Sequence, residues 1–198
     1  DTGEVLLDQT TTAIGPGASA FGAGAQAVGA FSTASGAAAT AEGLQATATG
    51  YASNAVGDYS TANGSFSAAS GLGSTALGYG ADASNQYSTS VGWGATASGA
   101  GSTAVGGMGD LVPGLGFLVN AEAAGTASVA FGAGSGAWSN YGSAVGALAQ
   151  ADGVGATALG YFAYAQAETS TALGAQAWAN GDRALAVGFY STAIGADS

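Results

Sequence analysis

Small residues recur in a seven-residue pattern that runs through nearly the whole chain. Glycine stands at every seventh position from Gly15 to Gly78, and after Asn85 the series resumes at Gly92. Two residues before each of these glycine positions the residue is alanine, with Ser90 as the exception. Four residues before them, alanine or serine predominates. Self-similarity at a fixed period is the sequence signature of a repeat architecture.

The pattern within each repeat favours short β-strands over helices. Small residues alternate with larger ones, often threonine, and a period of two is typical of a strand. Glycine within a helix costs about 1 kcal/mol relative to alanine, and here that cost would recur along the whole chain. We therefore predict an all-β, single-chain parallel β-solenoid with about 14 residues per coil. Alanine fills its interior, and glycine supplies positive φ at the corners. About fourteen such coils would form a rod of roughly 65 Å.

The residue just before alternate glycine positions points outward and is apolar in successive coils. Contiguous exposed apolar patches mark interfaces, and a narrow coil filled by alanine buries little apolar area by itself. We therefore expect the chains to self-associate along this strand. In the first third of the chain the outward apolar residues instead precede the other set of alternate glycine positions. The apolar residues change from one set to the other between Val56 and Leu77. The predicted interface residues are Leu77, Val91, Val105, Phe131, Val145, Leu159, Leu173 and Val187.

The repeat is interrupted once, which suggests four segments. Residues 1–10 form a lead-in, 11–106 and 125–198 carry the repeats, and 107–124 are an apolar insertion or an altered coil. We expect the insertion to fold back on the rod or into the interface, with a ligand-binding excursion as the alternative. Its apolar residues are Leu111, Val112, Leu115, Phe117, Leu118 and Val119.

The charge balance excludes several classes of function. The chain has 12 acidic residues, one base (Arg183), no histidine and a formal net charge of -11. Such a surface repels nucleic acid and anionic bilayers. Cysteine is absent, so there is no disulfide or thiolate metal site. No run approaches the roughly 20 apolar residues of a membrane-spanning helix.

Catalysis is disfavoured by the same composition. Without histidine, cysteine or lysine, the usual general bases and activated nucleophiles are missing. No calcium-binding loop is present. We predict no enzymatic activity, no metal and no cofactor, with the acidic residues as solvated surface charges. These scattered acids include Asp58, Asp82, Asp110, Glu122, Asp152 and Glu168.

Two aromatic residues, Tyr79 and Trp93, lie one coil apart, so their rings should be neighbours. One interpretation is that such residues cover the corners of the rod or the junction between chains. The alternative is a surface for protein or glycan ligands, because amphipathic rings suit interfaces.

Several of the repeats resemble those of a known family. The segment Ser-Val-Ala-Phe-Gly at 128–132, followed by Ala-Gly-Ser135, is similar to the head repeats of trimeric autotransporter adhesins, the YadA-like family. So are Ser-Thr-Ala-Leu-Gly at 74–78 and Ser-Thr-Ala-Val-Gly at 102–106. The resemblance extends from Thr11 to Ala196. It implies a left-handed parallel β-roll, a homotrimer, and a location at the cell surface and outer membrane of a Gram-negative bacterium.

The resemblance also implies a function and a longer protein. Heads of this family are carried on a coiled-coil stalk and a C-terminal outer-membrane anchor, so we expect this chain to be a fragment whose membrane contact is made through that anchor. The implied function is attachment to host extracellular matrix or cell-surface ligands, together with autoaggregation or biofilm formation. Collagen binding in the family is linked to repeats matched here by Ser128, Val129, Phe131 and Ser135, although Ala127 replaces the family's asparagine. We add Tyr79 and Trp93 to this candidate ligand surface.

Two other classes remain open from the residues alone. A β-solenoid ice-binding protein would use a flat row of threonines, and threonine does recur three residues before many glycine positions. A phage fibre segment would share the repeat and the oligomer. An apolar outer strand that needs partner chains favours an adhesin or a fibre over a monomeric ice-binding protein.

Overall fold

The computed structural model describes residues 10–110 and 118–198, which form a β-solenoid built from two parallel sheets. No helix occurs within these described ranges. The first sheet comprises Thr12–Ala13, Gln26–Ala27, Thr40–Ala41, Asn54–Ala55, Ala68–Ala69, Asp82–Ala83, Thr96–Ala97, Glu122–Ala123, Gly136–Ala137, Gln150–Ala151, Tyr164–Ala165, Trp178–Ala179 and Thr192–Ala193. The second comprises Ser19–Phe21, Thr33–Ser35, Thr47–Thr49, Thr61–Asn63, Thr75–Leu77, Thr89–Val91, Thr103–Val105, Val129–Phe131, Ser143–Val145, Thr157–Leu159, Thr171–Leu173 and Leu185–Val187.

Strands pair in a register that repeats every coil. Thr75 lies opposite Thr89 and Leu77 opposite Val91, so each residue is aligned with the one fourteen positions further along. The predicted parallel solenoid with about 14 residues per coil is therefore confirmed. The thirteen and twelve strands of the two sheets make about twelve coils rather than fourteen. At about 4.8 Å per coil, they form a rod of roughly 60 Å.

The coil interior contains only small side chains. The alanines two residues before the glycine positions, such as Ala76 and Ala158, are fully buried. Four residues before those positions, alanine or serine is also buried, as at Ala95 and Ser74. Among the described residues the largest fully buried side chains are serines. Ser90, which interrupts the alanine series, is accommodated because its Oγ donates a 2.7 Å hydrogen bond to the carbonyl of Ala95.

Two turns close each coil. The first turn follows a strand of the first sheet, and the second turn follows a strand of the second sheet. Backbone hydrogen bonds continue from coil to coil through the turns, as from Gly160 N to Val145 O at 2.9 Å and from Phe162 N to Ala147 O at 3.0 Å. Backbone groups that lose water in the narrow coil are thereby paired.

The glycines of the two turns have different physical roles. At the second turn Gly160 has φ +135°, in the region that favours glycine. At the first turn Gly29 lacks positive φ, but a Cβ there would lie 1.9 Å from the carbonyl oxygen of Gly43. The expectation of positive φ at every glycine corner thus holds only for the second turn. Apart from Met108, just before the hairpin, the residue two after each glycine position has positive φ at both turns, even when it is Tyr59 or Phe66.

The interruption in the repeat is a hairpin, which takes the place of the second turn in one coil. Gly109–Asp110 pairs antiparallel with Leu118–Val119, between the strands Thr103–Val105 and Glu122–Ala123. Thr96 pairs with Glu122, so the regular coil resumes before residue 124, where the repeat pattern placed the end of the insertion.

The base of the hairpin is attached to the rod by a side chain. Asn120 Nδ2 donates to the carbonyl of Gly94 at 2.7 Å. Four of the apolar residues expected to fold back, and most of the predicted lead-in at 1–10, lie outside the described residues. The four are Leu111, Val112, Leu115 and Phe117.

We expect the interior to reject any side chain larger than serine. Ala158→Leu should lower the free energy of unfolding by about 1–3 kcal/mol, because the added atoms overpack an interior in which Ala158 is fully buried among alanines and serines. Thr157→Leu is the matched control, since Thr157 points outward and Leu185 occupies the equivalent position two coils away. Chemical denaturation followed by circular dichroism measures both variants. Equal losses of stability would contradict the assignment of inward and outward positions.

Candidate functional site

The predicted interface residues form one continuous row on the outer face of the second sheet. All eight occupy consecutive paired strands, and the row crosses the hairpin without a gap because Val105 pairs directly with Phe131. Four members are exposed, namely Leu173 at 40%, Leu159 at 43%, Phe131 at 55% and Val187 at 57%, and the other four are half-buried. We call the eight residues from Leu77 to Val187 the apolar row.

The outer faces of the two sheets exchange character along the rod. In the second sheet the first strand ends in the exposed Phe21, and the next three strands end in the polar residues Ser35, Thr49 and Asn63. In the same coils Val28 and Val56 are exposed just after strands of the first sheet. The change of phase seen in the sequence is therefore a transfer of apolar surface from one sheet to the other.

Four aromatic rings form a ladder along the second-turn edge of the rod. Successive ring centroids lie 5.2, 5.6 and 6.1 Å apart, with edge-to-face geometry, from Tyr51 through Phe66 and Tyr79 to Trp93. Such arrangements are favoured by the ring quadrupoles. Each ring remains about half exposed. The expectation that Tyr79 and Trp93 are neighbours is met, and we call the four residues the aromatic ladder.

A groove lies further along the same edge, on the side of the first sheet, with a volume of about 370 Å³. One wall consists of second-turn residues and the other of outward residues of the first sheet. Tyr164 and Trp178 stand one coil apart in the second wall, with ring centroids 5.9 Å apart and planes tilted by 56°. The lining residues are Leu148, Gln150, Phe162, Ala163, Tyr164, Gln176, Ala177, Trp178, Tyr190 and Thr192, none of them charged. We call this site the groove.

A smaller cavity of about 250 Å³ continues the groove towards the hairpin. The two share Leu148 and Gln150, and the smaller one adds Trp138 and the acidic Glu122. The aromatic ladder, the hairpin and the groove therefore follow one another along a single edge of the rod.

One side chain of the groove is fixed by a hydrogen bond. Tyr164 Oη donates to Asp152 Oδ2 at 2.6 Å. This bond, with partial burial and the charge of Asp152 as lesser causes, raises the pKa of Tyr164 to about 12. The phenol is thus held neutral and directed at Asp152, which leaves the ring face as its contribution to the groove.

The structure corrects part of the candidate ligand surface. Ser128 and Ser135 are buried, because both lie four residues before a glycine position and so point into the coil. Val129 and Phe131 are exposed on the second sheet, while Tyr79 and Trp93 belong to the aromatic ladder on the second-turn edge. The fold does not bring these six residues together as one site.

The groove was not anticipated from the sequence, although its signal was present. Tyr164 and Trp178 are fourteen residues apart, at a position where all earlier coils carry smaller, non-aromatic residues. Gln150 precedes them by one further coil. A run of large residues at this spacing indicates neighbouring side chains on one face of a solenoid.

Two features are missing from the described part of the chain. Within residues 10–110 and 118–198, no three acidic side chains come together in a way that would hold a metal ion. In the same part of the chain, no helix has the length and apolar character to cross a membrane.

The repeats match a known family along most of the chain. The model of the YadA head domain repeat (two copies) matches residues 9–32, 27–53, 41–67, 55–81, 69–95, 83–107, 139–163 and 165–191. The chain therefore belongs to the YadA head family, which confirms the resemblance seen in its sequence. The family indicates an extracellular, surface-exposed adhesin head of a Gram-negative autotransporter, and such heads are typically non-enzymatic. The comparison with curated proteins gave no match.

The hydrogen bond from Tyr164 should be visible in a pH titration. Its stabilising contribution is present below pH 10 and is lost as the pH rises from 10 to about 12, because the folded state retains the phenolic proton longer than the unfolded state. Asp152→Ala should return the pKa of Tyr164 towards 10, as followed by the NMR shifts of its ring. Asp182→Ala, which removes an exposed acid on the other edge, should leave this pKa unchanged. An unaltered titration in Asp152→Ala would contradict the assigned hydrogen bond.

Proposed function

We propose that this chain is the ligand-presenting head of a surface adhesin, assembled from three copies and attaching the bacterium to host matrix or cell-surface ligands. The unbroken apolar row is the observation that carries the proposal. A rod with an alanine interior has little apolar burial of its own, so the exposed row gains most by covering itself with another chain. The family supports left-handed coils, the threefold assembly and the outer-membrane location.

The apolar row also suggests how three rods pack. In a closed threefold ring each interface joins two different surfaces, except at the axis, where identical residues meet. A straight row of like residues is suited to that axis, since three copies can converge there along their whole length. Val129 and Leu185, both exposed beside the row, widen it at two coils.

The assembly leaves the opposite face free for contact with a ligand. Outward residues of the two sheets point in opposite directions because the alanines of both sheets point inward. The groove lies on the first-sheet side and the apolar row on the second-sheet side. Autoaggregation or biofilm formation would use the same exposed surfaces between heads of neighbouring cells.

A threonine row offers limited support for ice binding. A row of threonines stands in register on the second sheet and comprises Thr33, Thr47, Thr61, Thr75, Thr89 and Thr103. The non-threonine residues that lie between these threonines in the sequence pattern belong to the first sheet, so they do not interrupt this row. From Leu77 onward, however, the apolar row lies beside these threonines. A polar array two residues wide therefore spans only the coils of Thr33, Thr47 and Thr61, and the adhesin remains the better supported function.

Charge placed in the apolar row should disrupt the assembly. Leu173→Asp would bury a carboxylate in an apolar contact, which weakens association by about tenfold or more. Asn180→Asp is the matched control, since it adds the same charge at an exposed position on the first sheet. Light scattering on a sizing column measures the mass of each variant. A wild-type monomer, or an unchanged mass in Leu173→Asp, would remove the interface assignment.

Attachment itself can be tested with the isolated head. Beads coated with the wild-type chain should adhere to human epithelial cells and to extracellular matrix well above beads coated with albumin. Beads coated with Leu173→Asp should adhere less, because dissociation of the head reduces the number of binding sites presented together. Wild-type beads that adhere no better than albumin beads would overturn the proposed function.

A further inference from the structure

We propose that the groove binds a neutral oligosaccharide. This inference deepens the proposed function, because it assigns a ligand class to one surface of the adhesin head. It rests on three features of the groove: neighbouring aromatic rings, amide side chains beside them, and the absence of charge along the lining.

The aromatic rings provide faces suited to sugar rings. One face of a pyranose carries C–H bonds with slight positive charge, which are attracted to the negative face of an aromatic ring. Tyr164 and Trp178 present two such rings 5.9 Å apart along the rod axis. Trp178 is 47% exposed, and Phe162 and Tyr190 line the opposite wall. A chain of sugar rings lying along the rod would meet these residues in succession.

The amide side chains supply the directional contacts. Gln150 and Gln176 line the groove, and each amide both donates and accepts hydrogen bonds, as adjacent hydroxyl groups of a sugar do. A mostly apolar cavity with a few polar groups that fix orientation is the usual form of a small-ligand site. Tyr164 is already committed to Asp152, so its ring is held in place before a ligand arrives.

The charge and size of the groove favour this ligand over others. The chain has a net charge of -11 and no basic residue in the groove, so an anionic sugar would be repelled. A lipid chain would leave the amides of Gln150 and Gln176 without partners, which costs free energy. A folded protein partner needs an interface of about 1,000 Å² or more, far larger than this groove provides.

The test uses the assembled head and four defined probes. Chitotetraose, cellotetraose and maltotetraose are the neutral probes, and a heparin tetrasaccharide is the anionic one. Saturation-transfer NMR and calorimetry on the wild-type head should detect binding of at least one neutral probe and none of the heparin probe. Trp178→Ala should weaken that binding by about tenfold, the loss expected for one ring stacked on a ligand.

The chain offers a closely matched control for this substitution. Trp93→Ala removes a tryptophan of similar exposure, 48%, from the aromatic ladder and should leave binding unchanged. Ala68 occupies the position in the first sheet equivalent to Trp178, so alanine is compatible with the coil there. Gln150→Ala, at the same position of another strand, is a second test that should also weaken binding.

Each outcome separates this inference from the proposed function. Absence of binding by all three neutral probes, equal effects of Trp178→Ala and Trp93→Ala, or binding of the heparin probe alone would overturn the glycan assignment. Cell adhesion that survives Trp178→Ala unchanged would also count against it while leaving the adhesin intact. Binding of a neutral probe by a head that adheres to no cells would support the groove and overturn the proposed function.

Discussion

Parallel hydrogen bonding between stacked coils is the constraint on which the rest of the structure depends. The bonds fix the register at fourteen residues per coil, so any residue type repeated at that spacing becomes a straight row on the rod. The interior must stay narrow for strands and turns to remain in register, and alanine and serine are the side chains that fit it. Within one chain, stability therefore comes from the backbone hydrogen-bond ladder more than from a large apolar core.

Because every coil is internally alike, the outward positions are the only ones free to differ. The structure separates these positions by function. The second sheet carries the apolar row suited to association, and the second-turn edge carries the aromatic ladder, the hairpin and the groove. A rod of this kind can present several different surfaces without any change in its interior, since the interior never contributes to them.

Much of the fold could be predicted from the sequence because its period is both local and exact. The alanines, the two-residue alternation and the apolar residues from Leu77 to Val187 are visible without any knowledge of long-range contacts. The burial of Ser128 and Ser135 also follows from the sequence, since their spacing from the glycine positions directs them into the coil. Similarity to a binding repeat of the family predicts a surface role for these two serines that this spacing does not allow.

The sequence by itself determined the repeat, the interior residues and the rows that run along each face. Only the tertiary structure decided how the turns place residues of different rows beside one another. The groove joins second-turn residues such as Phe162 to first-sheet residues such as Trp178, and their meeting depends on the positive φ that closes each turn. The end of the insertion was likewise set by pairing between Thr96 and Glu122, since a parallel register specifies partners that no local pattern identifies.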